Sequence, residues 1–354
     1  MQTWDVIIIG GGIIGLSLSI ALRKRGATVL IVERGEPGRE ASHAAGGMLV
    51  DSPFETAPAL QLLATASARM YPEFAYELEA ESGMKVDLRD YGTILFPPDE
   101  HLHHPQFTGS PLSSADLAEL EPELAIPNRP AFFLKERCVD PRALTAAALQ
   151  AAKNRGVDFR TGDAVQSIMQ SAGRVCGVAR TKVAHRGSKV VNCAGAWAGD
   201  ISPHAFPTRP VKGQMLCLAM PSRTLLKHVV RSPQAYLIPR SDGRLLVGAT
   251  LEEAGFDKRT DSDTMQRFHK AAIALVPKLA DARILEDWAG LRPGTPDGLP
   301  ILGETATPGY YVATGHFRDG ILLAPITAEV MAALIEGRKP EFDLTPFSPS
   351  RFPS

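Results

Sequence analysis

Residues Asp5–Glu33 read DVIIIGGGIIGLSLSIALRKRGATVLIVE, and the changes of texture inside this stretch decide the fold. Trp4–Gly10 is a short β-branched run closed by glycine, the pattern of a strand buried on both faces. From Ile13 to Arg25 apolar residues recur at helical spacing. That segment ends in Arg23, Lys24 and Arg25, cations suited to the negative end of a helix, and Gly26 stops it. Ala27–Glu33 reads as a second buried strand. Between the first strand and the helix stand Gly10, Gly12 and Gly15 in GxGxxG spacing. Glycine there permits a tight turn and lets backbone N–H groups approach a pyrophosphate seated on the positive helix end. Glu33 lies eighteen positions past Gly15, where its carboxylate can accept from ribose hydroxyls. The whole unit predicts a dinucleotide site. A carboxylate at Glu33 repels a 2′-phosphate and so disfavours NADP, leaving NAD and FAD open.

Working outward, 354 residues suffice for about two domains or one large α/β domain with a second lobe. The composition is 44% hydrophobic and 22% charged, with 31 glycines and 28 prolines pointing to many turns. A formal net charge of -1 makes no electrostatic case for nucleic acid. Cys138, Cys176, Cys193 and Cys217 are scattered without a CxxC pair, which argues against a disulfide framework or a zinc site and fits a reducing cytoplasm. The apolar N-terminus has an acidic residue and no basic one before it, and glycines break it. It reads as neither a signal sequence nor a membrane span, so a soluble, cytoplasmic protein is expected, with peripheral membrane association open.

Along the chain, Pro58–Gly83 is mostly helical. Tyr91–Phe107 turns to short strands and proline-rich loops, a departure into a second lobe. Asp140–Gly156 is a helix with Asp140 as N-cap and Pro141 in its first turn. VDFR and KVVNCAG then return the chain to the first lobe. GQMLCLAM, AYLIPR and RLLVGAT, between Pro210 and about Ala282, read as antiparallel strands accompanied by one helix. The last element, from Gly309 to Gly337, is strand, glycine loop, helix. Pro325 in that helix removes a backbone bond, so an irregular first turn is expected. No HExxH or GxSxG motif occurs. The histidines of HLHHP (His101, His103, His104) have no carboxylates beside them and read as a solvated loop rather than a metal site.

Three further stretches stand out: ASHAAGGML (Ala41–Leu49), WAGLRPGTPDGLPILG (Trp288–Gly303) and ATGHFRDGILLAP (Ala313–Pro325). Small residues from Ala41 to Gly47 leave room for a planar ring against the backbone. The glycine loop before the final helix aims amides and a positive dipole at a ligand. Arg292 sits between Gly290, Pro293 and Gly294 as though held in a rigid turn. It is either a solvated loop charge or a clamp for a carboxylate.

Taken with the GxGxxG unit, these stretches resemble the D-amino-acid oxidase family of FAD-dependent oxidoreductases, from Asp5 to about Gly337. The phrases AAGGML, AYLIPR, GRLLVGAT, WAGLRPGTPDG and GHFRDGILLAP are similar in wording and order to its glycine-oxidising branch. The resemblance implies an α/β fold in which a Rossmann-like FAD-binding domain (1–86, 141–209 and 283–354) interleaves with a mostly antiparallel-sheet substrate domain (87–140 and 210–282). It implies non-covalent FAD, since His43 is not used for attachment in this branch. Beside Gly10, Gly12 and Gly15, the FAD contacts would be Ile13, Ile14, Glu33, Arg34, Ala41, Ser42, Gly46, Gly47, Met48 and Val165. His316, Phe317, Arg318, Asp319, Gly320, Ile321 and Leu322 would line the flavin ring.

The same resemblance makes Arg292 the carboxylate clamp and Tyr236 its supporting hydroxyl. Arg318 becomes a second active-site arginine, and Leu251 a pocket residue where the family carries methionine. It implies oxidation of glycine, sarcosine or D-alanine to the 2-oxo acid, ammonia and hydrogen peroxide, with oxygen as acceptor. The imine would supply the thiazole of thiamine. No acid–base residue stands out, and orientation and flavin electronics would set the rate. A homotetramer is also implied. The competing readings are a broader D-amino-acid oxidase or dehydrogenase, a sarcosine oxidase-like enzyme, and a flavin-bound subunit of an amine dehydrogenase complex.

Overall fold

In the computed structural model, residues 2–102, 104–125, 129–180 and 183–352 are described. The first strand, Thr3–Ile9, alternates its side chains between two cores. Val6 and Ile8 pack under the helices on one face, while Trp4, Ile7 and Ile9 pack on the other. Val29–Glu33 does the same with Val29 and Ile31 against Leu30 and Val32. Two-sided burial is why both segments read as continuous apolar runs. Thr3–Ile9 is parallel to Val29–Glu33 on one side and to Ala184–Asn192 on the other. Asp158–Thr161 extends the parallel set beyond Val29–Glu33. Ala184–Asn192 divides its free edge between antiparallel Arg174–Arg180 and parallel Tyr310–Thr314.

The helices cover the sheet as the sequence indicates. Ile13–Lys24 carries Arg23 and Lys24 in its last turn, and Gly26 follows at φ +86°. Gln61–Ser82 ends on left-handed Gly83. In Pro141–Asn154 the carboxylate of Asp140 accepts from the amides of Arg142 and Ala143, the expected N-cap. The final helix, Ala324–Ile335, corrects the expectation about Pro325. The proline occupies the first turn, where an N–H has no intrahelical partner to lose. The irregularity precedes the helix, in the turns of residues 320–323.

The second sheet runs, edge to edge, Ile284–Gly294, Arg209–Ala219, Arg244–Gly248, Tyr236–Pro239, Val229–Arg231, Thr93–Leu95, Ala131–Leu134 and Ser110–Leu112. All neighbours are antiparallel except Val229–Arg231 with Thr93–Leu95. Ser262–Leu275 is the one helix expected between residues 210 and 282, and Asp261 caps it. The strand Ile284–Gly294 was expected in the nucleotide-binding part and Arg292 in a turn. It closes one edge of this second sheet, and a strand rather than a turn carries Arg292. Arg292 lies on this strand opposite Val211, and Pro293 lies opposite Pro210. Pairing the two prolines places both missing N–H groups at one rung, so the ladder survives.

A short three-stranded sheet ties the two lobes together: Met48–Leu49 and Leu88–Arg89 flank Arg137–Val139. His101 packs edge-on against Phe54, with ring centroids 5.7 Å apart, while His103 lies outside the described residues. Among the described residues no helix is long and apolar enough to cross a membrane.

Candidate active site

One cavity of about 900 Å³ opens past the carboxyl ends of Thr3–Ile9 and Val29–Glu33, where a doubly wound sheet binds its ligand. Its nucleotide end is built by the opening turn. Gly10 adopts φ +103°, and a Cβ there would fall 2.5 Å from the carbonyl oxygen of Cys193. A Cβ on Gly15 would fall 2.1 Å from the carbonyl oxygen of Gly10. Gly15 therefore seats the helix on the turn and does not itself line the cavity. Gly12, Ile13 and Ile14 line it, and the amide of Ile13 donates to Ser42 Oγ at 2.9 Å. The buried Glu33 carboxylate accepts from the amides of Gly11 and Gly35, both at 2.8 Å. Those bonds leave lone pairs for hydroxyl donors. Arg34 lines the same end with its guanidinium 3.4 Å above the Trp197 ring, and Val165 closes that side.

Further in, Ala41, Ser42, Gly46, Gly47 and Met48 form a wall of small residues. Gly47 has φ +75°, and a Cβ on it would meet the Val139 carbonyl oxygen at 2.0 Å. Arg240, fully buried, donates from Nη2 to the Gly46 carbonyl at 2.6 Å and fixes this loop from behind. The opposite wall is residues 316–321. Leu322 does not join them. It is buried in the core, and its carbonyl accepts from Ser67 Oγ at 2.6 Å.

At the far end the cavity meets Arg292, Tyr236, Arg318 and Leu251. The Arg292 guanidinium lies on Gly213, where a Cβ would stand 2.2 Å from Nη1, and Nη1 donates to the Thr250 carbonyl at 3.1 Å. Burial pulls its pKa down, Tyr236 opposes this, and the cation of Arg318 adds to it. No carboxylate lies within ion-pair distance of Arg292 among the described residues, and the charge of Glu252 reaches it only from farther off. A desolvated cation without an ion-pair partner, facing a cavity, is a receptor for an anion. Burial pushes the Tyr236 phenol up, against the pull of Arg292 and Arg318, and its hydroxyl donates to Met215 Sδ at 3.3 Å. Leu251 is 65% exposed, so it stands at the mouth rather than deep in the pocket.

Several lining residues went unread in the sequence. Gly213 and Thr250 build the seat of Arg292, and Glu55 comes from the loop after the small-residue wall. Only their juxtaposition gives them meaning, although Gly213 could have been noticed as a glycine interrupting a strand. His316 is 4% exposed and within 3.1 Å of Thr327 Oγ1, and burial drives its pKa down to about 3. The unfolded state therefore binds the extra proton between pH 6.5 and 3. His316 contributes stability that is full above pH 6.5 and is lost as pH falls. Urea unfolding of the parent should weaken by about 2 kcal/mol more between pH 6.5 and 5 than that of His316→Gln. Equal slopes would show that His316 is already protonated in the folded protein.

The residues present suit FAD. Two glycines have no room for a Cβ beside the backbone, the mouth of a helix is open, a buried carboxylate keeps free lone pairs, and a small-residue wall faces the glycine loop. The family model for FAD dependent oxidoreductases matches residues 5–334. Glycine oxidase of Pseudomonas aeruginosa is 33% identical over 362 residues, covering 98% of each chain. The bifunctional protein ThiO/ThiG of Synechocystis is 38% identical, and this chain spans 55% of that longer protein. The crystal structure of glycine oxidase from Geobacillus kaustophilus superposes with a TM-score of 0.92 over the whole of both chains, at 32% identity. With its turn, its carboxylate and its two-sheet architecture all agreeing, the chain belongs to the D-amino-acid oxidase family of FAD-dependent oxidoreductases.

Proposed function

We propose that the protein oxidises glycine and other small amines that carry a carboxylate, sarcosine and D-alanine among them. The products are the 2-oxo acid, ammonia and hydrogen peroxide, and the glycine imine is available for building the thiazole of thiamine. The carrying observation is Arg292: half-buried, without an ion-pair partner among the described residues, flat on Gly213 and open to the cavity that holds the nucleotide turn. Its fork accepts a carboxylate through two parallel hydrogen bonds, which set orientation as well as position. Tyr236 adds a hydroxyl at the same end. Bound non-covalently, FAD supplies a two-electron acceptor that oxygen can reoxidise.

The protein's part is to hold the Cα–H of a clamped substrate toward that ring and to keep water away while it does so. Residues 316–321 and the small-residue wall enclose the reacting end from both sides. The proposed division is that 1–86, 141–209 and 283–354 bind FAD while 87–140 and 210–282 shape the substrate site. The strand Ile284–Gly294 then carries the clamp across from one part to the other. The similarity to the glycine oxidases and to the ThiO/ThiG protein named above supports this reading of the substrate and its use.

A direct test is anaerobic bleaching of the flavin. Glycine, sarcosine and D-alanine should bleach it, while ethylamine, which lacks the carboxylate, should do so at least about a hundredfold less efficiently, the loss expected for an unpaired buried cation. Air should restore the colour with hydrogen peroxide formed in step. Equal bleaching by ethylamine would remove the clamp from the reaction, and restoration without peroxide would favour a dehydrogenase.

A further inference from the structure

After the strand Arg244–Gly248 the chain leaves the second sheet, and it returns at Asp261, which caps the next helix. Both feet of this excursion are pinned to the strand Arg209–Ala219. Lys212 and Glu252 exchange backbone hydrogen bonds of 2.9 and 3.0 Å. Gln214, 2% exposed, clips the two feet together: its side-chain amide donates to Glu252 Oε1 at 2.8 Å, and its Oε1 accepts from the Asp261 amide at 2.7 Å. A surface excursion whose ends are held this close is an Ω-loop.

The tip of the loop crosses to the nucleotide end of the cavity. Phe256 stacks on Trp197 with ring centroids 5.1 Å apart and planes 25° from parallel. The Arg34 guanidinium, 3.4 Å from the centre of that indole, already fills one face, so Phe256 takes the other. Arg34 Nη2 donates to Glu40 Oε1 at 3.0 Å, and Glu40 Oε2 accepts from Lys258 Nζ at 2.9 Å. Lys258 stands two residues from Phe256, so the contacts close into a ring. Phe256 and Lys258 come from the loop, while Trp197, Arg34 and Glu40 all line the cavity. An exposed ion pair contributes little alone. Beside a stacked ring on the same short tip it counts for more, because making either contact brings the other within reach.

The near foot lies at the other end of the same cavity. Thr250 and Leu251 line it there, and the Thr250 carbonyl accepts from Arg292 Nη1 at 3.1 Å. From Leu251 to the tip the chain is mostly exposed, so the loop spans the cavity from outside, substrate end to nucleotide end. Its feet need no help from the tip, since Gln214 has already fixed them. The tip contacts therefore serve the crossing.

We propose that the loop Glu252–Asp261 is a strap over the FAD site, and that Phe256 on Trp197 with Lys258 on Glu40 is the clasp that opens for FAD to enter or leave. Gln214 keeps the feet in place while the tip swings. Exchange of the cofactor is thus gated from the sheet that bears Arg292. The strap rests on FAD binding alone, so failure to oxidise glycine leaves it standing, and failure of the clasp leaves the proposed function standing.

Two variants test it, Phe256→Ala, which removes the stack, and Lys258→Glu, which sets two carboxylates against each other. FAD release is read from the loaded protein as flavin fluorescence after dilution, and entry as its quenching when FAD meets the stripped protein. Release should quicken about tenfold in Phe256→Ala, the upper end of what an aromatic pair contributes, and several-fold in Lys258→Glu. Entry should quicken too, since a clasp slows passage in both directions. Phe256→Tyr keeps a ring and should match the parent. Arg259→Ala should also match it, because that side chain is 88% exposed on the same tip and pairs only within the loop, with Asp257.

Parental release in either clasp variant overturns the proposal. So does faster release with unchanged or slower entry, the signature of a plain wall contact. An equal change in Arg259→Ala overturns it as well, since any loosening of the loop would then suffice. Where the stripped protein does not take FAD back, release alone decides, and Phe256→Ala within a few-fold of Phe256→Tyr overturns the clasp.

Discussion

Arg292→Ala should keep its FAD and lose glycine oxidation. Truncating one partner of a desolvated charge pair costs about 2–5 kcal/mol, because the other charge is left buried and unpaired. At about 1.4 kcal/mol per factor of ten, kcat/KM should fall roughly thirty- to several-thousandfold. FAD should remain because Arg292 stands on the strand Ile284–Gly294, at the end of the cavity away from the nucleotide turn. Arg292→Lys should recover only part of the loss, since an ammonium cannot reproduce the fork that orients the Cα–H. Steady-state kinetics with glycine, read beside the flavin spectrum of each variant, decide the matter. Activity within a few-fold of the parent in Arg292→Ala would leave the arginine as a structural charge and sink the clamp.

The second large effect belongs to Gly10. Alanine there meets two penalties at once, a left-handed φ of +103° and a Cβ 2.5 Å from the Cys193 carbonyl oxygen. Backbone strain of this kind costs about 1–3 kcal/mol, and the clash with main chain forces the turn to shift as well. A total of about 3 kcal/mol corresponds to roughly a hundredfold in FAD affinity, so Gly10→Ala should purify pale or colourless. Gly26→Ala is the matched control. Its φ is +86°, yet nothing lies within 4 Å of the added Cβ. It should be somewhat less stable and fully yellow. A yellow Gly10→Ala with parental affinity would mean that the turn does not contact the pyrophosphate.

The legible parts of this fold share a physical reason. Thr3–Ile9, the GxGxxG turn, Ile13–Lys24 and Val29–Glu33 are contiguous, and each carries its own punctuation: a buried run, glycines at strained φ, basic residues at a helix end. The capped helix Pro141–Asn154 was equally plain, because Asp140 and Pro141 act within one turn. Ile284–Gly294 was not. Only three of its eleven residues are buried, it lies at the sheet's edge, and its Gly290, Pro293 and Gly294 look like a loop until Arg209–Ala219 is beside them. Pairing across about seventy residues leaves no local trace.

The site divides along the same line. Glu33 and Ser42 follow from spacing and small size, and the structure puts both against the turn that needs them. Arg292 stood out for its neighbours but was assigned the wrong element. Leu322 was carried one residue too far along a wall that ends at Ile321. Glu55 could not be read at all, since only the folded chain brings its loop to the cavity wall.

The strand that bears Arg292 also grips the small-residue wall. Trp288 Nε1 donates to the Ala44 carbonyl at 3.1 Å, and Gly290 lies so close that an added Cβ would stand 2.4 Å from Ala44 Cβ. Arg142 pins the same corner, with Glu286 at 2.5 Å and the Trp288 ring 4.6 Å beneath its guanidinium. The Arg292 strand and the small-residue wall are thus parts of one bolted frame, so on the proposed reading the spacing between clamp and cradle is set when the chain folds. If that frame keeps its spacing during turnover, the pace of the enzyme should be governed by traffic through the doorway at exposed Leu251. On that reading, side chains at the doorway can be exchanged to admit larger substrates while clamp and cradle keep their spacing.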